Sequence, residues 1–193
     1  MGDGMGIMPR FDGEEAEPPD RGDGENGGED PPQVSVKEVA QHAVEQLELP
    51  QPDIRLSPDE DESQVVHFPT WMWLSQTSWK PVTETAEVTG VSVTATARPQ
   101  RTVWSMGDGR QVVCKGRGTA FSTEYAADAM SPDCGHIYRR SSAGSPGDAY
   151  TLTATLVWDV TWEGEGEQGA VPGLQTTSER KVTVSEVQAV VVR

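Results

Sequence analysis

The sequence is poor in cations, in cysteine and in long apolar runs. Its 193 residues hold 15 Lys and Arg against 31 Asp and Glu, with three His and two Cys. Without a basic stripe there is nothing to neutralise a phosphate backbone, so nucleic-acid binding is excluded as an expectation. No run of about 18 apolar residues is present, so no membrane span is expected. The two cysteines, Cys114 and Cys134, lack the paired ligand spacings of a zinc site, although His136 lies close to Cys134. They bracket a Gly/Ser/Asp-rich loop, which leaves a disulfide in an oxidising compartment or two buried thiols. A phosphate-binding loop is also missing: Gly116-Arg117-Gly118-Thr119 has neither the lysine nor the helix that a phosphate cradle needs.

The acidity is unevenly spread. Residues 1–62 hold 18 Asp and Glu against 4 Lys and Arg, whereas the remainder holds 13 against 11. Residues 1–34 offer almost nothing to bury and should form a disordered acidic tail. No apolar core of a signal peptide occurs within Met1–Asp30, so an exported protein would need a targeting segment that this sequence does not show. Residues 35–49 read as a short helix. Ser35 and Glu38 have capping-box spacing, Val39, Ala43 and Leu47 form a stripe with Val36 beside it, and Pro50 and Pro52 stop it. Such a helix is marginal alone and must dock or fray. Residues 50–63 read as an extended Pro- and acid-rich linker.

From residue 64 to the C-terminus the period changes to two. Val91, Val93, Ala95 and Ala97 share one face of a strand that precedes a second, Arg101–Met106. Gly107-Asp108-Gly109 turns the chain into Arg110–Cys114, since an Asp-Gly pair suits the positive φ angles of a tight hairpin. Ala149–Trp162 alternates over its whole length and needs a bend or bulge partway. Glu163–Gln175 reads as a loop. Glu179–Val192 changes phase, which a bulge near Ser185–Glu186 would repair. Six or seven strands with one outlying helix predict an all-β antiparallel sandwich.

Three features in order carry a family resemblance: Trp104-Ser105-Met106-Gly107-Asp108-Gly109, then His136-x-Tyr138, then Gly147-Asp148-Ala149-Tyr150-Thr151-Leu152. Over about half the chain they resemble PKD domains, small immunoglobulin-like β-sandwiches. In that family the first run is more often Trp-Asp-Phe-Gly-Asp-Gly, so Ser105 departs from the pattern. The cysteines also differ from the inter-sheet pair of antibody domains. The resemblance implies a binding or spacing module, with Trp104 and Met106 in the core. Pro69–Trp73 and the run from Cys134 to Gly144 are in addition similar to small exported proteins of actinobacteria, some carrying generic ATP/GTP-binding labels that these residues do not support.

Several residues invite a functional reading. Trp71, Trp73 and Trp162 could form an aromatic platform for sugar rings, against the alternative that tryptophan fills cores. Asp108 and His136 could be imagined as a catalytic pair. No nucleophile stands out, because Ser131, Ser141 and Ser142 lie in loop composition. The structural reading gives Asp108 to the turn and has His136 bonding to backbone. Asp108, Asp128 and Asp133 could meet around calcium, although the regular loop spacing is absent. Arg139-Arg140 reads as a solvated strand edge. The expectation is a non-catalytic extracytoplasmic module without cofactor, contacting surface proteins or cell-wall polysaccharide, with a carbohydrate-binding module as the alternative.

Overall fold

The computed structural model describes residues 34–59 and 62–186. The expected acidic tail and the residues Val187, Ala189 and Val191 of the last predicted strand lie outside the described residues, except for Val34. The remainder is mostly β-strand in antiparallel sheets and is compatible with a β-sandwich. One ladder departs from this rule, because the two short strands Gln64–Val65 and Val184–Ser185 pair in parallel.

The helix α1 (Val36–Glu45) opens the described chain, and its capping box forms as the sequence suggests. Ser35 Oγ accepts from the Glu38 backbone, and the Glu38 carboxylate accepts from the Ser35 N–H at 3.0 Å. The Ser35 N–H and the Ser35 hydroxyl, both donating to the Glu38 carboxylate, hold that carboxyl below its usual value. Val39, Ala40 and Ala43 are buried on β4 (Val82–Val88), β5 (Val91–Ser105) and β8 (Tyr150–Gly164). The sheet presents small side chains there, Ala86, Val93, Ala95 and Ala97, so the helix can approach closely. Docking supplies the stability that ten residues of helix lack in isolation.

Strand β5 corrects the reading of two separate strands. It runs unbroken for 15 residues, and its register against β8 slips between Pro99 and Arg101. The extra residue, Gln100, is a bulge that moves the buried positions from Val93, Ala95 and Ala97 to Thr102 and Trp104. Two apolar patterns of opposite parity therefore belong to one strand.

The loop expected over Glu163–Gln175 is a second correction. The turn Glu165-Gly166 has φ of 48° and 79°, the left-handed pair of a two-residue hairpin, and leads into β9 (Glu167–Val182). Pro172 and the Gly173 bulge are tolerated because β9 pairs only with β8. The bend anticipated in β8 is met by its neighbours, since the extra residues lie on β5 and β9. The bulge expected near Ser185–Glu186 concerns the register of residues that lie outside the described ones. Beyond β9 the chain breaks at Thr183. It then forms β10 (Val184–Ser185) beside β2 (Gln64–Val65), with the buried Ser142 hydroxyl accepting from Val184 N–H at 3.0 Å.

A smaller sheet is ordered β1 (Ile54–Ser57), β3 (Pro69–Leu74), β7 (Gly135–Ile137). Strand β1 falls in the stretch expected to be linker. Ile54 and Leu56 are buried on either side of exposed Arg55, an alternation too short to stand out between prolines and acids. Both sheets and the helix contribute to one core, in which Trp104, Trp158, Tyr138 and Met72 are fully enclosed.

Two polar atoms in that core, Thr102 Oγ1 and Trp104 Nε1, have no hydrogen-bond partner among the described residues. A buried hydroxyl without a partner costs stability that an apolar group of the same shape does not. Thr102→Val is therefore expected to leave stability unchanged or raise it by about 1 kcal/mol in urea denaturation. A clear loss would show that the hydroxyl is satisfied in solution.

Candidate functional site

The second half of β5 turns through Gly107-Asp108-Gly109 into β6 (Gln111–Cys114). Gly107 has φ of 76°, and a Cβ there would lie 2.7 Å from Tyr150 Cβ and 2.8 Å from Thr151 N. Only glycine combines that backbone with so close an approach. Asp108 holds the turn by accepting from Arg110 N–H at Oδ1, 3.0 Å away. Its other oxygen, Oδ2, lies 2.9 Å from His136 Nε2 on β7. The two residues are thus brought together, and the expectation that His136 bonds to backbone is corrected. The side chain reaches across to the hairpin because β7 runs directly past it.

An aromatic ladder completes the joint. The His136 ring meets Tyr138 edge-on at 4.6 Å, and Tyr138 stacks on Tyr150 at 5.6 Å. The Tyr138 hydroxyl donates to the Met106 carbonyl at 3.2 Å, and Tyr150 donates to the Ser141 carbonyl at 2.8 Å. Met106 and Trp104 are fully buried beside them. Burial pushes the Tyr138 hydroxyl far above the usual phenol value, with Asp108 and Tyr150 adding to the effect. No hydroxyl or thiol bonds to His136 among the described residues, so the pair fastens one hairpin to one strand.

Cys114 and Cys134 form a disulfide with a Cα separation of 5.6 Å, and both are buried. It closes the segment 115–133, which is pinned at further points. Asp133 accepts from Thr119 N–H and Thr119 Oγ1, each at 3.0 Å, and from Ser131 Oγ at 3.2 Å. Leu74 N–H donates to the Arg117 carbonyl at 2.7 Å. Asp133 is thereby spent on its own loop. Asp108, Asp128 and Asp133 are not gathered, and no metal-sized cluster of His, Cys, Asp or Glu occurs among the described residues.

The same loop corrects the aromatic platform. Phe121 and Tyr125 lie 5.2 Å and 4.7 Å from the Trp71 ring, and the Trp71 indole donates to the Ala129 carbonyl. Trp71 is left 1 % exposed and cannot stack on a ligand. Its cover comes from 50 residues or more along the chain, which strand periodicity cannot reveal. Trp73 and Trp162 remain half-buried. Trp162 lies against Gly169, where a Cβ would meet the indole at 2.5 Å, and beside α1 with Val171. Neither of the two grooves that Trp162 lines contains Trp71 or Trp73.

Two open grooves have distinct chemistry. One, of about 510 Å³, lies over the outer sheet face and is lined by Thr94, Thr96, Arg98, Thr161, Trp162 and Glu163 among others. The other, of about 430 Å³, lies beside the hairpin joint and includes His67, Arg110, Met130, His136 and Arg139. His67, Arg110 and Met130 were not singled out from the sequence, because they are separated along the chain and carry no motif. No protein-family model matches the chain, and neither a curated protein nor a solved structure matches it.

Two outcomes are expected for this region. Cys114→Ser should lower the melting temperature under oxidising conditions by the equivalent of about 3 kcal/mol, with reductant having no further effect on the variant. An unchanged melting temperature would contradict the stabilising role. For Tyr138, buried only in its neutral form, the stabilising contribution is full below pH 10 and is lost as the pH rises above it. Alkaline titration of folded protein should therefore show unfolding, and no separate phenolate signal from Tyr138 before unfolding. Ionisation of Tyr138 near pH 10 in the native state would refute its enclosure.

Proposed function

We propose that the protein is a non-catalytic binding or scaffolding module, PKD-like in fold, that works outside the cytoplasm. The disulfide supports the compartment, since such bonds persist where the surroundings are oxidising. The order of the hairpin, His-x-Tyr and Gly-x-x-Tyr features supports the fold family. Partners of this module are other secreted or surface proteins, or cell-wall polysaccharide.

The observation that carries the non-catalytic reading is the use to which Asp108 and His136 are put. A general base needs a nucleophile or substrate proton within reach. Here Asp108 is divided between Arg110 N–H and His136, and His136 between Asp108 and the face of the tyrosine ladder. Both groups are nearly enclosed, at 11 % and 6 % side-chain exposure.

A carbohydrate-binding reading is favoured by one surface, the threonine-lined groove that ends at Trp162. Hydroxyls and a half-open indole are suitable partners for a sugar ring. Retention on immobilised cell-wall polysaccharides, measured by interferometry, separates the two readings. The scaffolding reading expects no retention that depends on Trp162 and no turnover of ester, glycoside or nucleotide substrates. Saturable retention lost in Trp162→Ala would establish the carbohydrate reading, and turnover abolished by His136→Ala would overturn both.

A further inference from the structure

We propose that the groove beside the hairpin joint is a docking site for an extended peptide segment bearing carboxylates, which adds to the open edge of β7. The proposal rests on the binding-module reading and names its partner chemistry.

The first observation is backbone pairing. Met72 N–H donates to the Cys134 carbonyl and His67 N–H to the Tyr138 carbonyl, so the even positions of this strand face β3. In an antiparallel ladder, alternate residues direct their N–H and C=O groups to opposite sides. Gly135 and Ile137 therefore direct theirs away from β3, and β7 is the last strand of its sheet. Both residues line the groove. Its floor is an open strand edge, the surface to which an extended peptide adds by main-chain hydrogen bonds.

The second observation is charge. Arg110 and Arg139 line the groove and are exposed, and neither side chain has a carboxylate or hydrogen-bond partner among the described residues. Two unpaired guanidinium groups on one groove stand out in a chain of net charge −16. The groups facing them are His67, also unpaired, and His136, whose Asp108 partner lies behind it. Guanidinium groups recognise carboxylates in a planar, often two-point fashion, which suits Asp or Glu side chains on the incoming strand.

The third observation is the backbone of His67, held at φ of 65° with its ring exposed on the groove. A non-glycine residue there is uncommon, and such conformations cluster at ligand clamps. Met130, 50 % exposed, and Ile137 add an apolar shoulder for an aliphatic side chain between the acids. Edge, charge and shoulder fit a peptide alternating acidic and aliphatic residues. A sugar acid would use the charge and leave the strand edge unpaired.

The test uses the full chain and two fluorescein-labelled, C-terminally amidated peptides, Val-Glu-Val-Glu-Val and Val-Gln-Val-Gln-Val. Fluorescence polarisation should give saturable binding of the acidic peptide, at least tenfold weaker for the amide version and weakened by salt. Arg110→Glu combined with Arg139→Glu should abolish it without changing the melting temperature, because both side chains are exposed. If that double variant fails to fold, Arg110→Gln with Arg139→Gln replaces it and should cost at least tenfold. Hydrogen exchange read by NMR should slow at the Gly135 and Ile137 amides when the acidic peptide is present. Equal binding of both peptides, retained binding in the folded variants, or unprotected amides would overturn the proposal. So would tighter binding of polygalacturonate than of the acidic peptide, which would make the groove a polyanion site. The binding-module reading would survive those results, since it is judged by turnover and polysaccharide retention on the other face.

Discussion

The joint between the Gly-Asp-Gly hairpin and strand β7 is the constraint on which the rest depends. The Tyr138 hydroxyl on the Met106 carbonyl and Asp108 on His136 fix the end of the long β5 strand against the small sheet. Charge-assisted bonds of this kind gain strength where water is excluded. The disulfide fastens the same two segments a few residues further on, joining the end of β6 to the residue before β7. Non-covalent and covalent ties therefore act in parallel on one junction, and the loop between the cysteines is free to serve as the cover for Trp71.

That division explains why the surface and the core have such different chemistry. The large sheet is buried on one side by α1 and by the small sheet, and its other side is lined with threonines. Cross-strand pairs such as Thr85 with Thr94, at 2.9 Å, satisfy hydroxyls without apolar contact. One groove lies over this threonine face, and the other lies beside the hairpin joint where β7 ends its sheet. Backbone edges and unpaired cations collect there because the core has no room for them.

Much of the fold could be read from residue pattern, and the reasons for the misses are physical. The helix was legible because its cap and its stripe are local. The β8 strand was legible because seven inward residues alternate without interruption. Strand β5 was divided at Pro99 because a one-residue bulge reverses parity, which in sequence looks like an end. The first half of β9 reads as a loop because it holds Gly and Pro that an edge strand tolerates. The candidate platform failed for a different reason. Trp71 lies on a strand face that its own segment leaves open, and only the distant Phe121 and Tyr125 close it. Asp108 and His136 were legible as residues of interest, whereas their partnership depends on two strands meeting.

The paired bulges in the large sheet have a consequence for how β5 is held. Gln100 on β5 lies opposite Val157 and Trp158 of β8, and Gly173 on β9 lies opposite Trp158 and Asp159, on the two sides of that strand and one residue apart. The central strand is continuous while each flanking strand carries one extra residue there. Before its bulge β5 pairs with β4, on which α1 also packs; after it β5 pairs with β6, whose Cys114 is tied to Cys134. The two ends of β5 are thus held by different attachments, one by the packing of a helix and one through a covalent bond.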